Sequence, residues 1–239
     1  MLRLLRMLAM GVHFLISGAL NLAICLARPF DPDNSRKVAR VYGWAARRLL
    51  GMEIVVDLSA APAGRAPAVY VCNHQSNLDL FVLGPAVPER TVTVGKQSLR
   101  WVPLFGQIFW LAGNVLIDRG DPAKAKASML RARAKLVEGS SSIWIFPEGT
   151  RDRGESLLPF KHGAFRMAIE AGVPIVPVCV SGYLKAMDLS KARSCKVVIQ
   201  ALEPIPTEGL GLQSFPELME RVHAAMELRI RELDIRASS

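Results

Sequence analysis

The sequence predicts an α/β protein: a mostly parallel or mixed sheet flanked by helices, preceded by an N-terminal helical membrane anchor. Three observations carry that reading. From residue 53 to residue 236, short apolar runs alternate with amphipathic or charged segments of helical length, a pattern that buries its apolar faces best as a sheet with helices packed on it. Several of those runs end in polar clusters, where reactive groups tend to sit in such sheets. Upstream, Met7 to Ala27 is a run of 21 positions without a charged residue, about what a helix needs to cross a hydrocarbon core.

The N-terminal run is interrupted by His13, Ser17 and Asn21, and weakened as a helix by Gly11 and Gly18. A helix lying in one leaflet therefore fits it as well as a full span does. A cleaved signal peptide is a third reading, against which bulky Ile24 stands where a lipoprotein cleavage site takes a small residue. Arg28, Arg36, Lys37, Arg40, Arg47 and Arg48 follow the run. Anionic headgroups and the positive-inside tendency together place the remaining chain on the cytosolic face of the cytoplasmic (inner) membrane. Val38, Val41, Tyr42, Ala45, Leu49 and Leu50 recur at helical spacing among these basic residues, as a second, amphipathic helix requires. Residues 1–50 are thus expected to form a two-helix membrane-anchoring segment, and residues 51–239 the α/β domain. The alternative is an ordinary helical hairpin packed on that domain.

Within the domain, residues 53–58 and 67–72 read as strands joined by an Ala/Pro/Gly turn at 59–66. A helix after Asn77 has to end before Pro85 or Pro88, and residues 91–94 form the next strand. A polar crossing at 95–100 leads into an apolar stretch, 101–111, too short to span a bilayer. Residues 115–117 make a short buried strand. Asp121-Pro122 is a helix start with Asp as N-cap and Pro in the first turn, and this helix runs to about Glu138, stopped by Gly139. Residues 142–146 are a strand, 160–171 a helix stopped by Gly172, 174–181 and 196–202 the last strands. Ser214 and Glu217 open a charged helix that reaches about Arg236.

Composition narrows the partners. The chain has 239 residues, a net charge of +9 and 51% hydrophobic residues, with a pI near 9.8 and mean hydropathy +0.24. Such a basic balance points to an anionic substrate or surface, whether phosphate, acidic lipid or an acidic carrier. No nucleic-acid-binding motif and no basic strand with interleaved aromatics occurs, which sets nucleic acid aside. Cys25, Cys72, Cys179 and Cys195 are scattered with no Cys-x-x-Cys pair, favouring reduced structural thiols over a disulfide framework or a zinc site. Cys72, close to His74, is expected to pack into the sheet.

The chemistry concentrates where residues 69–72 break into Asn73-His74-Gln75-Ser76-Asn77-Leu78-Asp79. His74 in a loop and Asp79 in a first helical turn form a candidate catalytic pair, because an imidazole oriented by a carboxylate takes a proton from an alcohol near neutral pH. Ser76-x-x-Asp79 is equally a capping box, in which Asp79 merely satisfies backbone donors. Asp118-Arg119 and Glu148-Gly149-Thr150-Arg151 fall at other strand ends. Two arginines there suit bidentate phosphate binding, Gly149 permits close backbone approach, and Glu148 can accept a hydrogen bond from a substrate hydroxyl. Lys96 and Lys161 add positive charge. Taken singly, each is matched by a surface ion pair.

Four ordered blocks carry a family resemblance: 73–79, then Gly113-Asn114-Val115-Leu116-Ile117-Asp118-Arg119, then Phe146-Pro147-Glu148-Gly149-Thr150-Arg151, and finally Val173-Pro174-Ile175-Val176-Pro177-Val178. With them the chain resembles the bacterial 1-acyl-sn-glycerol-3-phosphate acyltransferases, the glycerolipid acyltransferases with a His-x4-Asp motif. Asp152, where relatives often carry Ser, is a departure that adds negative charge beside the expected phosphate site. The resemblance implies acyl transfer from acyl-CoA or an acyl-carrier protein to the sn-2 hydroxyl of lysophosphatidate, giving phosphatidate. His74 and Asp79 would be catalytic, and Lys96, Arg119, Glu148, Gly149, Thr150 and Arg151 would bind substrate. The scheme calls for no metal and no cofactor beyond the thioester co-substrate. Three other readings are a non-catalytic lipid-binding protein, the same chemistry on another acceptor, and a membrane hydrolase; against the last, the chain has no Gly-x-Ser-x-Gly elbow.

Overall fold

The computed structural model describes residues 1–62 and 66–238, so part of the turn expected at 59–66 lies outside the described residues. In chain order come helices α1 (Leu2–Ala27), α2 (Asn34–Trp44) and α3 (Ala46–Leu49), strands β1 (Met52–Asp57) and β2 (Val69–Cys72), and helix α4 (Asp79–Val82). Strand β3 (Thr91–Lys96), helix α5 (Phe105–Leu111), strand β4 (Val115–Ile117), helix α6 (Pro122–Val137) and strand β5 (Ser142–Ile145) follow. The chain closes with helix α7 (Gly163–Ala171), strands β6 (Ile175–Val180) and β7 (Cys195–Ala201), and helix α8 (Phe215–Ser238).

Local chemistry accounts for most boundaries. The Asp121 carboxylate accepts the Ala123 and Lys124 N–H groups at 3.0 and 3.1 Å, Pro122 occupies the first turn, and Gly139 at φ 63° ends α6. Helix α7 begins at Gly163, later than its apolar pattern suggests. The reason is tertiary: the Lys161 N–H donates to the Pro147 carbonyl at 2.7 Å, pinning 160–161 outside the helix. The basic amphipathic stripe of 34–50 divides at Ala45 into α2 and α3.

The seven strands form one sheet in the order β1-β7-β6-β2-β5-β3-β4. Every neighbouring pair is parallel except β6 with β7, so the sheet is mixed. Strands β2 and β6 lie at its centre and are buried at every position, as strands covered on both faces are. Alternation sorts their side chains into two cores. Tyr70, Cys72, Trp144, Val176 and Val178 pack on one face with residues of α1, α2 and α4. Val69, Val71, Ile143, Ile175 and Cys179 pack on the other with α6, α7 and α8. Because β2, β5, β3, β4 and β6 run in one direction, their C-terminal ends all open on the same edge of the sheet.

The polar interruptions of α1 belong to its docked stripe. Arg6, Met10, Ser17, Gly18, Asn21 and Cys25 are buried, spaced so as to share one helical face. Arg6 donates to the carbonyls of Leu189, Lys191 and Ala192, His13 Nε2 meets the Tyr42 carbonyl at 2.8 Å, and Asn21 reaches the Val38 carbonyl. Gly18 allows close packing: a Cβ there would lie 2.3 Å from a Leu104 methyl, which would have to shift. The opposite stripe, with Leu4, Leu5, Leu8, Val12, Leu15, Ile16 and Leu20, is exposed.

Candidate active site

The chain leaves β2 at Cys72 and turns through residues 73–78 before α4 begins at Asp79. Amide side chains fasten this turn to the end of β6. Asn73 pairs with the backbone of Val180, Nδ2 donating to its carbonyl at 3.0 Å and Oδ1 accepting its N–H at 2.9 Å. Gln75 donates to the Ser181 carbonyl at 2.8 Å and accepts the Tyr183 N–H at 3.0 Å. Hydrogen-bonding groups buried this thoroughly fix a loop because leaving any of them unpaired is costly.

That turn places the expected pair in contact. His74 Nδ1 lies 2.5 Å from Asp79 Oδ2, with the imidazole side chain 20% exposed and the carboxylate 4%. A carboxylate on Nδ1 fixes the tautomer that carries its lone pair on Nε2, leaving that nitrogen as the base. The same Asp79 oxygen accepts the Gln75 and Ser76 N–H groups at 2.9 and 3.1 Å. Half of the capping box therefore forms alongside the dyad; Ser76 Oγ turns instead to the Leu78 N–H at 2.9 Å. The imidazole also stacks on Phe146, ring centroids 4.1 Å apart and 19° from coplanar, which restricts its rotation.

Glu148 has a different place from a surface substrate ligand. Its side chain is 2% exposed; Oε1 accepts the His74 N–H at 2.8 Å and Oε2 the Leu158 N–H at 3.1 Å. Burial pushes the carboxyl up to about 7 against the pull of those two N–H donors, with Asp152 and Asp79 adding to the rise. Asp152 likewise turns inward, 9% exposed. Its N–H donates to the His74 carbonyl at 2.8 Å and its carboxylate accepts the Gly154 N–H at 2.6 Å, while burial raises its carboxyl above the usual value. The Asp152 backbone thus braces the His74 loop, and its carboxylate closes the turn at Gly154. Cys72 is fully buried, burial holding its thiol protonated, so it packs in the sheet as expected.

The cations stand on neighbouring strand ends. Arg119, just beyond β4, donates to the Gly149 carbonyl, tying the β4 end to the β5 loop. Gly149 adopts φ 72°, open to glycine at no steric cost, and a Cβ there would crowd the Lys161 side chain at 3.3 Å. Lys96 closes β3, and Lys96, Thr150 and Arg151 are exposed. Among the described residues their side chains have no hydrogen-bond or ion-pair partner, which leaves them free for a ligand. Beside Arg119, Gly149 and Lys161 opens a groove of about 640 Å³ with Ile117, Met129, Phe146 and Met167 in its lining. Apolar walls beneath a cationic rim match a lipid that carries phosphate. The sequence reading missed Tyr183 and assigned no role to Asn73, Gln75 and Phe146, although these three fall in its motif blocks. Tyr183 lies 104 positions from Asp79, beyond any local pattern.

Comparison with known proteins places the chain in a family. A family model described as Acyltransferase matches residues 51–181. The chain is 38% identical over 234 residues to the 1-acyl-sn-glycerol-3-phosphate acyltransferase of Salmonella typhimurium, covering 98% of this chain and 95% of that one. It is 35% identical over 221 residues to the alpha form of that enzyme from Homo sapiens, covering 92% and 78%. Its fold matches the crystal structure of the 1-acyl-sn-glycerophosphate (LPA) acyltransferase PlsC from Thermotoga maritima, with a TM-score of 0.73, 25% identity and 97% of each chain covered. A family model over more than half its length, and relatives above 30% identity over nearly all of it, show that this chain belongs to the acyltransferase family.

Proposed function

We propose that the chain transfers an acyl group from an acyl thioester, acyl-CoA or acyl-carrier protein, to the sn-2 hydroxyl of 1-acyl-sn-glycerol 3-phosphate, forming phosphatidate in phospholipid biosynthesis. The observation that carries this reading is the Asp79–His74 dyad at the end of β2 beside the Arg119–Gly149 contact at the ends of β4 and β5. His74 Nε2 removes the hydroxyl proton as that oxygen attacks the thioester carbonyl, and Asp79 stabilises the resulting imidazolium. The carbon–sulfur bond then breaks, the new ester bond remains, and the imidazolium returns its proton to the departing thiolate. The acceptor is itself the nucleophile, so no acyl-enzyme is needed. Arg119 and Arg151 bind the acceptor phosphate, with Lys96 and Lys161 adding charge and the Gly149–Thr150 backbone approaching closely.

The membrane reading rests on α1. It is 26 residues long with an apolar window of mean hydropathy 1.8, yet it is tied to the rest of the chain near its start by Arg6 and just past its end by the Phe30 N–H donating to the Leu111 carbonyl. A helix docked along its whole length lies in one leaflet with its exposed stripe in the acyl layer. Exposed Trp110 stands just past its C-terminal end, where Phe30 packs edge-on against it, and exposed Trp101 carries Arg100 stacked at 4.5 Å, the amphipathic composition of an interfacial belt. Residues 1–50 then act as the anchor, on the cytosolic face of the inner membrane where anionic headgroups meet the basic surface. Replacing exposed Leu15 and Ile16 with Gln, which removes apolar surface and adds no charge, is expected to weaken binding to anionic vesicles in flotation; unchanged flotation would remove α1 as the anchor.

The test of the reaction uses purified protein in mixed micelles with each thioester donor and a panel of acceptors. Phosphatidate and free thiol should appear together and only with lysophosphatidate. Thiol release that follows a different lysolipid or glycerol 3-phosphate would reassign the acceptor, and release in water alone would make the protein a hydrolase.

A further inference from the structure

Tyr183 is a buried phenol that the reaction as drawn leaves idle. It follows β6, is fully buried, and its hydroxyl donates to Asp79 Oδ1 at 2.5 Å while standing 3.1 Å from Ser76 Oγ. The other carboxylate oxygen of Asp79 serves His74 Nδ1 and the two backbone N–H groups. The carboxylate is therefore shared: the imidazole draws on one oxygen and the phenol on the other. We propose that Tyr183 is a positioning residue for acyl transfer, which sets the basicity of His74 by drawing charge from Asp79.

The placement of the phenol is built into the fold. Its backbone N–H is held by Gln75 and its flanking strand by Asn73, so the residues that fix the catalytic loop also fix the tyrosine. Burial, reinforced by Asp79, raises its hydroxyl above the usual phenol value, and it remains a proton donor throughout the working range. The acidic groups around His74 are Asp79 at the start of α4 and Glu148 and Asp152 in the loop after β5; the Cys72 thiol on β2 is neutral. Each of these acids, when ionised, adds negative charge beside the imidazole, and catalysis is best when the proton moves easily in both directions. Besides His74 itself, Tyr183 is the side chain among the described residues that donates to Asp79, adding to the Gln75 and Ser76 N–H groups in drawing negative charge from it.

The inference rests on His74 acting as the base, and its test separates the two. Tyr183→Phe keeps the ring and deletes the hydroxyl. It is expected to move the acid limb of the kcat/KM profile upward by about half a unit to one unit, to lower kcat several-fold, and to leave both KM values unchanged. Site-specific 3-fluorotyrosine at position 183, a stronger donor, is expected to move the limb downward. Circular dichroism and thermal melts of both variants report on folding directly. Limbs that stay put in both folded variants, or a loss of activity equal at every pH with a lowered Tm, would overturn the proposal and leave Tyr183 a structural residue. Failure of the underlying reading has another signature: His74→Ala would keep its activity.

Discussion

The side chains of Asn73, His74, Gln75, Ser76 and Asp79 are tied to β6, to the segment after it or to one another, whereas at the ends of β3, β4 and β5 the cations extend from exposed positions with one hydrogen bond, Arg119 to Gly149, among the described residues. The base is set before any substrate arrives. The anion-binding side chains keep rotamer freedom that binding has to remove, at a cost of the order of 1–2 kcal/mol for each long side chain ordered. The contrast teaches a division of labour: loss on the dyad side should appear in kcat, and loss on the cation side in KM.

The largest test of that division is His74→Ala. Removing a general base should lower kcat by about 10²- to 10⁴-fold, with KM for lysophosphatidate nearly unchanged; steady-state kinetics with both substrates varied checks it. Glu148→Gln comes next and decides between two roles for that residue. An amide presents one acceptor where the structure uses two, so a buried N–H of His74 or Leu158 loses its partner and the base shifts. A fall in kcat of about 10- to 100-fold is expected, since small displacements of reacting groups are costly. A raised KM with normal kcat would instead put Glu148 on the acceptor.

Arg119→Ala and Arg151→Ala should each raise KM for lysophosphatidate by about 10-fold, the scale of a hydrogen bond to a charged group, and leave kcat within a small factor. Raised salt should mimic the loss. The smallest effect concerns stability. The Glu148 carboxyl stands at about 7 in the folded protein, above its ordinary value. Its contribution is fully present at pH below 4.5 and is lost as pH rises through 7, because the unfolded chain ionises first. The wild-type melting temperature should fall by a few degrees relative to Glu148→Gln over that window, measured by thermal melts at closely spaced pH values; parallel curves would show the carboxyl to be unperturbed.

What the sequence disclosed is what short range determines. His74 and Asp79 are five positions apart, so a strand end and a helix start suffice to bring them together, and Asp121-Pro122 with Gly139 bounded α6 because caps are local. The strands were readable as apolar runs, but their order was not, since β1 pairs with β7 across the length of the chain. Tyr183, the inward turn of Asp152 and the buried carboxylate of Glu148 depend on segments meeting from afar. Glu148 in particular reads as a polar strand-end ligand until its two backbone partners are seen. The polar residues of α1 have the same lesson: in sequence they weaken a membrane helix, and in the fold they are its docking face.

The central claim is that the lipid hydroxyl, activated by His74, attacks the thioester directly. Rapid-quench measurement of thiol release from enzyme mixed with acyl thioester in the first turnover tests it. The account predicts no burst of thiol until lysophosphatidate is added, followed by thiol and phosphatidate in equal amounts. A stoichiometric burst without acceptor, leaving the acyl group on the protein, would contradict it.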